Sequence, residues 1–163
     1  MVINLTRTFT SRMTHTLSLT SDQNPSFEDS LCAFEFLDLK AQPATSKTER
    51  APLLPGRVIQ VLAIKLAIHE RNLLALLKIP EQAFQRRHAA HGSLTEVESG
   101  RVLRIARIAG LARHVFESDA KATRWLSSRH LILGRRPIDM LVSDAGAREV
   151  EDELWRIEWC DFA

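Results

Sequence analysis

Cysteine is scarce in this chain: Cys32 and Cys160 are the only two in 163 residues, too far apart for short metal-ligand spacing and too few for a disulfide framework. Such usage suits a reducing compartment, and a cytoplasmic location is expected. Long apolar runs are missing as well. The longest, VIQVLAIKLAIHE, is interrupted by Lys65 and His69 and falls short of the ~18 residues a bilayer span requires, so no membrane segment is expected. Catalytic motifs are equally thin. There is no G-x-S-x-G, no G-x-x-x-x-G-K and no H-E-x-x-H; His88 and His91 stand three apart, but Gly92 follows and no carboxylate motif accompanies them. Glu149, Glu151, Asp152 and Glu153 crowd together, yet adjacent helical positions point around the axis instead of converging, so a solvated acidic face is expected and not a metal cage. These gaps argue against an enzyme and imply neither metal nor cofactor.

What the chain does have is hydrophobic content of 45%, enough for a core, and a net charge of +2 that conceals a segregation. Residues 1–56 are nearly balanced at −1, residues 57–116 carry ten basic against four acidic side chains, and residues 117–163 carry seven basic against ten acidic. A basic middle and an acidic end imply two different partners. The first 21 residues hold Arg7, Arg12, many Ser and Thr and no acid. This resembles a transit peptide only superficially, since no cleavage motif follows, and an N-terminal extension is expected.

Along the chain, NPSFEDSLCAFEFLDLK offers one short amphipathic helix through Phe27, Leu31, Phe34 and Leu37, and the proline-rich AQPATSKTERAPLLPG reads as a linker. Helical patterning then continues almost without a break. RVIQVLAIKLAIHERNLLALLKI is too long and apolar for one surface helix and divides into two near His69–Asn72. Pro80 opens a third, PEQAFQRRHAA, and Ser93-Leu94-Thr95-Glu96 has the form of a capping box for a fourth. On that fourth helix Val102, Ile105, Ile108, Ala109, Ala112 and Phe116 form an apolar stripe opposite Arg104, Arg107 and Arg113. A turn at Leu133–Pro137 leads into a short helix, and a last helix from about Asp144 to Trp159 buries Ala147, Val150, Leu154 and Ile157, with Asp144 as its N-cap. No alternating strand appears after the linker. The fold class is therefore all-α: an extension and linker over residues 1–56, a first helical domain over 57–116 and a second over 117–163.

Residues 71–88, RNLLALLKIPEQAFQRRH, carry a helix-turn-helix pattern: a short apolar helix, a tight turn at Lys78-Ile79 and a second helix with polar residues outward. In that arrangement Glu81, Gln82 and Gln85 reach base edges near the start of the second helix, while Arg86 and Arg87 serve phosphate or guanine. Two short helices broken by a proline also pack in plain bundles, and both readings stand at this point. The excess of positive charge in the segment favours DNA.

Read together, HGSLTEVESGRVLRIARIAGLARHVF and DAKATRWLSSRHLILGRRPIDMLVSDAGAREVEDELWRIEW resemble the Xre/MbcA/ParS family of antitoxins, over roughly residues 57–160. The matching features are LTEVES with Arg104 downstream, Ala122 with Trp125-Leu126, the Gly-x-x-Pro turn and DAGAREVEDELWRIE. The resemblance implies a Cro-like helix-turn-helix domain followed by a small helical toxin-binding domain. It also implies a RES-domain toxin as partner, whose NAD-binding active site the C-terminal region covers, and operator DNA bound by a homodimer within a hetero-oligomeric complex. RES toxins consume NAD or use it for ADP-ribosylation; the antitoxin itself is not a catalyst. Carried over onto this chain, the toxin contacts are Gly134, Arg135, Arg136, Pro137, Arg148, Trp155, Trp159 and Phe162, and the DNA contacts are Gln82, Gln85, Arg86 and Arg87. Three departures are visible: one residue fewer before Pro137, Cys160 where the family often has glycine, and Lys78 with Leu74 where the helix-turn-helix usually has glycine and a small residue. The alternative is a free-standing helix-turn-helix regulator whose C-terminal domain only dimerises.

Overall fold

The computed structural model describes residues 33–39, 53–89 and 92–160, and its regular elements are all helices. They are α1 (residues 33–36), α2 (Val58–Lys65), α3 (Glu70–Leu76), α4 (Glu81–Ala89), α5 (Glu96–Phe116), α6 (Asp119–Ser127), α7 (Pro137–Met140) and α8 (Asp144–Cys160). The all-α expectation holds, and the β-type pairing among the described residues is a lone bridge between Pro55 and Ser93. No helix among them is long and apolar enough to cross a membrane. Of the expected N-terminal amphipathic helix, Phe27 and Leu31 lie outside the described residues; Ala33, Phe36 and Leu37 are buried and Phe34 is half-buried. The Phe36 ring has two cations near its face, Lys65 Nζ at 5.4 Å and the Arg113 guanidinium at 5.9 Å from its centroid.

Helix α5 is the spine. Its Val102, Ile105, Ala106, Ile108, Ala109 and Ala112 are buried, and burial of each of the valine and two isoleucine side chains contributes about 1.5–3 kcal/mol. The face carrying Arg104 and Arg107, opposite the apolar stripe, is covered by α8. Arg107 forms a two-pronged pair with Glu151 at 2.5 and 2.9 Å, and Arg104 pairs with Asp144 and donates to the Val142 carbonyl. Glu151 is thereby removed from the expected solvated acidic face, and so is Glu153, which is buried beside Arg156. On its other flank α5 packs along α6.

Helix ends explain where the sequence reading shifted. The break between α2 and α3 falls at Leu66–His69, slightly earlier than expected. Ala67 turns left-handed at φ 50° and lets the Ile68 N–H reach back to the Ala63 carbonyl. Lys78 does the same after α3, at φ 56°, with Ile79 N–H bonded to Leu74 O. Each such non-glycine residue costs about 1 kcal/mol, and nothing in its side chain announces the stop. The capping box also sits two residues later than expected. Thr95, not Ser93, accepts from the Glu98 N–H, and Glu98 returns a carboxylate to the Thr95 N–H. SLTEVE contains both frames, and Ser93 is taken up in the bridge to Pro55. Likewise Ser143, not Asp144, caps α8: its Oγ accepts from the Gly146 N–H at 3.1 Å, while the Asp144 carboxylate turns to Arg104.

The Glu98 carboxylate is nearly buried and receives both terminal nitrogens of Arg87, at 2.8 and 2.7 Å, besides the Thr95 amide. The Arg87 guanidinium foremost holds its pKa below the ordinary 4.5, against the opposing effect of burial. A depressed folded pKa means a stability contribution that is full above 4.5 and lost as pH falls through the lower folded value. Glu153, lowered chiefly by Arg156, acts in the same sense. Glu98→Gln is thus expected to destabilise the protein at neutral pH and to flatten the acid limb of a stability profile measured by urea denaturation between about pH 7 and pH 3. A mutant whose profile parallels wild type all the way down would refute the assignment.

Candidate interaction surfaces

Residues 71–88, where a helix-turn-helix pattern is expected, hold α3, the turn through Lys78 and Ile79, and α4. Leu73, Leu74, Leu77, Ile79 and Phe84 pack beneath it, and Arg101 on α5 donates to the Leu77 carbonyl at 2.8 Å, tying the end of α3 to the spine. Leu74 is buried, so the bulk that replaces the usual small residue is accommodated inside. On α4, Gln82, Gln85 and Arg86 are exposed at positions three and four apart, hence on one face. Arg87 is placed differently. Its guanidinium is half-buried, paired with Glu98 and bonded through Nε to the Ala83 carbonyl. It therefore orients α4 against α5, and only Gln82, Gln85 and Arg86 of the four sequence candidates are open to a ligand.

The second set of candidates divides into two places. Gly134 to Pro137 form the turn before α7: Gly134 has φ 69°, the left-handed conformation that glycine adopts freely, and Pro137 is the first residue of the helix and is buried. The neighbouring arginines differ in availability. Arg136 is fastened to Asp139 by two bonds of 2.8 Å, whereas Arg135 is exposed and has no side-chain partner among the described residues. Asp139 raises the pKa of Arg136 further above its ordinary value.

Arg148, Trp155 and Trp159 occupy the other place. Separated by seven and four residues, they share one face of α8 with Asp152, opposite the buried Ala147, Val150 and Leu154. Trp155 is 37% and Trp159 72% exposed, so neither tryptophan closes the core. Phe162 lies outside the described residues. Polar contacts line the reverse side of α8. Glu153 takes two bonds from Arg156 and lies 3.5 Å from His130 Nε2, and His114 Nε2 is 3.5 Å from Glu158.

Sequence reasoning missed two groups. Leu131 and Ile132 are exposed apolar residues at the tip of the loop between α6 and α7; they were submerged in LIL, which looks like core. It also missed the positioning carboxylates Glu98, Asp144 and Glu151, whose partners stand 11, 40 and 44 residues away. Among the described residues no group of three or more potential metal ligands converges.

Residues 111–159, from the last turns of α5 to the end of α8, match the family described as antitoxin Xre/MbcA/ParS C-terminal toxin-binding domain. Two curated relatives agree. The chain is 33% identical over 103 residues to an antitoxin Xre of Yersinia enterocolitica, an alignment covering 62% of this chain and 70% of the relative. It is 36% identical over 80 residues to an antitoxin Xre of Pseudomonas putida, covering 48% of this chain and 50% of that protein.

Proposed function

The chain belongs to the Xre/MbcA/ParS antitoxin family, and from that premise we propose that it binds a RES-domain toxin and neutralises it by covering the toxin's active site. The observation that carries this reading is the stripe of Arg148, Trp155 and Trp159 on α8, held outward within the matched toxin-binding region. Amphipathic aromatic side chains beside an arginine are what protein interfaces use as anchors, because they bury much area for little conformational entropy. No catalysis is assigned to the chain. A toxin that binds NAD is silenced when its cleft is filled, and a helix with large side chains pointing away from its own core suits that task. Co-expression tests the reading: a cognate RES-domain toxin arrests growth alone and not in the chain's presence. Continued arrest with both proteins produced would end it.

Operator binding by a homodimer is the second part of the proposal, and it rests on Gln82, Gln85 and Arg86 sharing the exposed face of α4. Arg86→Ala is expected to weaken binding to the DNA upstream of the gene while lowering the slope of log affinity against log salt by about 1, as for one phosphate contact. Arg87→Ala removes the Glu98 pair and is expected to lower the thermal midpoint, which Arg86→Ala leaves in place. Equal loss of stability in both variants, or a salt slope unaltered by Arg86→Ala, would count against this division of roles.

A further inference from the structure

The loop between α6 and α7 is closed on itself. The His130 N–H donates to the Arg135 carbonyl at 3.0 Å, the Gly134 N–H returns to the His130 carbonyl at 2.9 Å, and Arg129 Nε also donates to the Gly134 carbonyl, at 3.1 Å. Its base is anchored. The His130 ring stands edge-on to Trp125 at 5.4 Å, with Nε2 near Glu153 of α8, and Leu133 packs against the core. Leu133 thus satisfies the inward demand of the LIL run. The two residues before it are turned out by the same geometry: Leu131 is 97% exposed and Ile132 65% exposed. Loops of this kind are normally polar at the tip, and two adjacent aliphatic side chains held in water by a fastened backbone are explained by something that covers them.

The charges around the tip indicate what that is. Arg129 and Arg136 are engaged within the chain, by the Gly134 carbonyl and by Asp139, while Arg135 has no side-chain partner among the described residues. The tip therefore offers an apolar pair with one available cation beside it. It lies inside residues 111–159, the region matched as toxin-binding. We infer that Leu131 and Ile132 form a second anchor for the toxin, separate from the tryptophan stripe, entering an apolar recess whose rim carries an acidic group that pairs with Arg135. The inference rests on the proposed toxin-binding function and adds to it a site and the chemistry of the complementary surface. It also gives the fastened loop a purpose, because a preset knob loses little entropy on docking.

The test uses the full chain and a purified cognate RES-domain toxin. Leu131→Ser combined with Ile132→Ser removes only exposed apolar surface, so the thermal midpoint stays at the wild-type value, while the Kd for the toxin rises about 100-fold, as for loss of an interface anchor. Leu131→Met retains tight binding, since shape and apolarity are kept. Arg135→Glu slows association and makes the remaining affinity less sensitive to salt. The inference is overturned if the wild-type chain binds the toxin and the double serine variant binds equally well. It is also overturned if that variant loses self-association while its toxin affinity is unchanged, which would make the knob a contact between copies. A wild-type chain that does not bind the toxin at all removes the functional reading itself, a result readily told apart from the other two.

Discussion

Trp155→Ala together with Trp159→Ala is expected to abolish neutralisation: the Kd for the toxin rises by at least about 1000-fold, and growth arrest returns on co-expression. The magnitude follows from area. A tryptophan covered at an interface buries roughly 150–250 Å², and the side chains that already stand 37% and 72% exposed still have surface to give up. At about 25 cal/mol per Å² the pair supplies several kcal/mol, and truncation at a packed interface costs more than the area alone because the partner's pocket is left open. The fold loses far less. Trp159 is mostly in water, and Trp155, though partly buried, is not among the buried anchors of α8, which are Ala147, Val150 and Leu154. A small drop in thermal midpoint with toxin binding gone is therefore the expected signature. Tight binding by the double variant would show that this face of α8 is not where the toxin sits.

Asp152 lies between Arg148 and Trp155 on that face. The stripe thus offers both signs of charge and two indoles, while the opposite side of α8 is committed to α5 through Glu151 and to the loop base through Glu153. That division lets the helix be rigid and available at once. The Glu151–Arg107 and Asp144–Arg104 pairs fix its rotation relative to the spine, so the residues facing outward are determined by charges that face inward. The same logic holds at the other end of α5, where Glu98 fixes α4 through Arg87 and leaves Gln82, Gln85 and Arg86 outside. One helix thereby orients both candidate surfaces.

Much of this was legible in the sequence because it depends on local signals. The stripe on α5, the opening of α7 at Pro137 and the apolar positions of α8 follow from periodicity and proline chemistry. Trp155 and Trp159 entered as toxin contacts through the family resemblance, and it is the structure that turns them outward with Arg148 on one face of α8. What escaped depends on long-range pairing or on backbone strain. Nothing local distinguishes Arg87 from Arg86, and only the approach of Glu98 turns one inward. Ala67 ends α2 without glycine, so the α2–α3 break was placed late, whereas the turn at Lys78 was read in place. Leu131 and Ile132 escaped for the opposite reason, since composition assigns aliphatics to the interior and only the closed loop turns them out. Arg104 and Arg107 were legible only as the side opposite the apolar stripe; what half-covers them is the approach of Asp144, read as a helix cap, and of Glu151, read as part of a solvated acidic face.

The second large effect is expected at Gly146. A methyl group there would lie 2.3 Å from the Met140 carbonyl oxygen and 3.0 Å from both the Met140 carbonyl carbon and Ser143 Oγ. The first two are backbone atoms and do not rotate away, so the turn between α7 and α8 must move. Movement there disturbs the Ser143 cap on the Gly146 amide and the anchorage of Val142 and Asp144 to Arg104. Overpacking of this kind costs about 3 kcal/mol, enough to lower the thermal midpoint of a chain this size by roughly 10 °C. Gly134 supplies the internal comparison. Its φ of 69° strains any other residue, but nothing lies within 4 Å of an added methyl group, so Gly134→Ala is expected to cost only about 1 kcal/mol. Urea denaturation of the two variants checks the pair, with a larger midpoint shift for Gly146→Ala and slopes like wild type. If Gly146→Ala proved no more harmful than Gly134→Ala, close approach of the Met140 carbonyl would not be what makes glycine necessary at the start of α8. If the order holds, Gly146→Ala also weakens toxin binding although the residue touches no partner, because it displaces the helix that carries Arg148, Trp155 and Trp159.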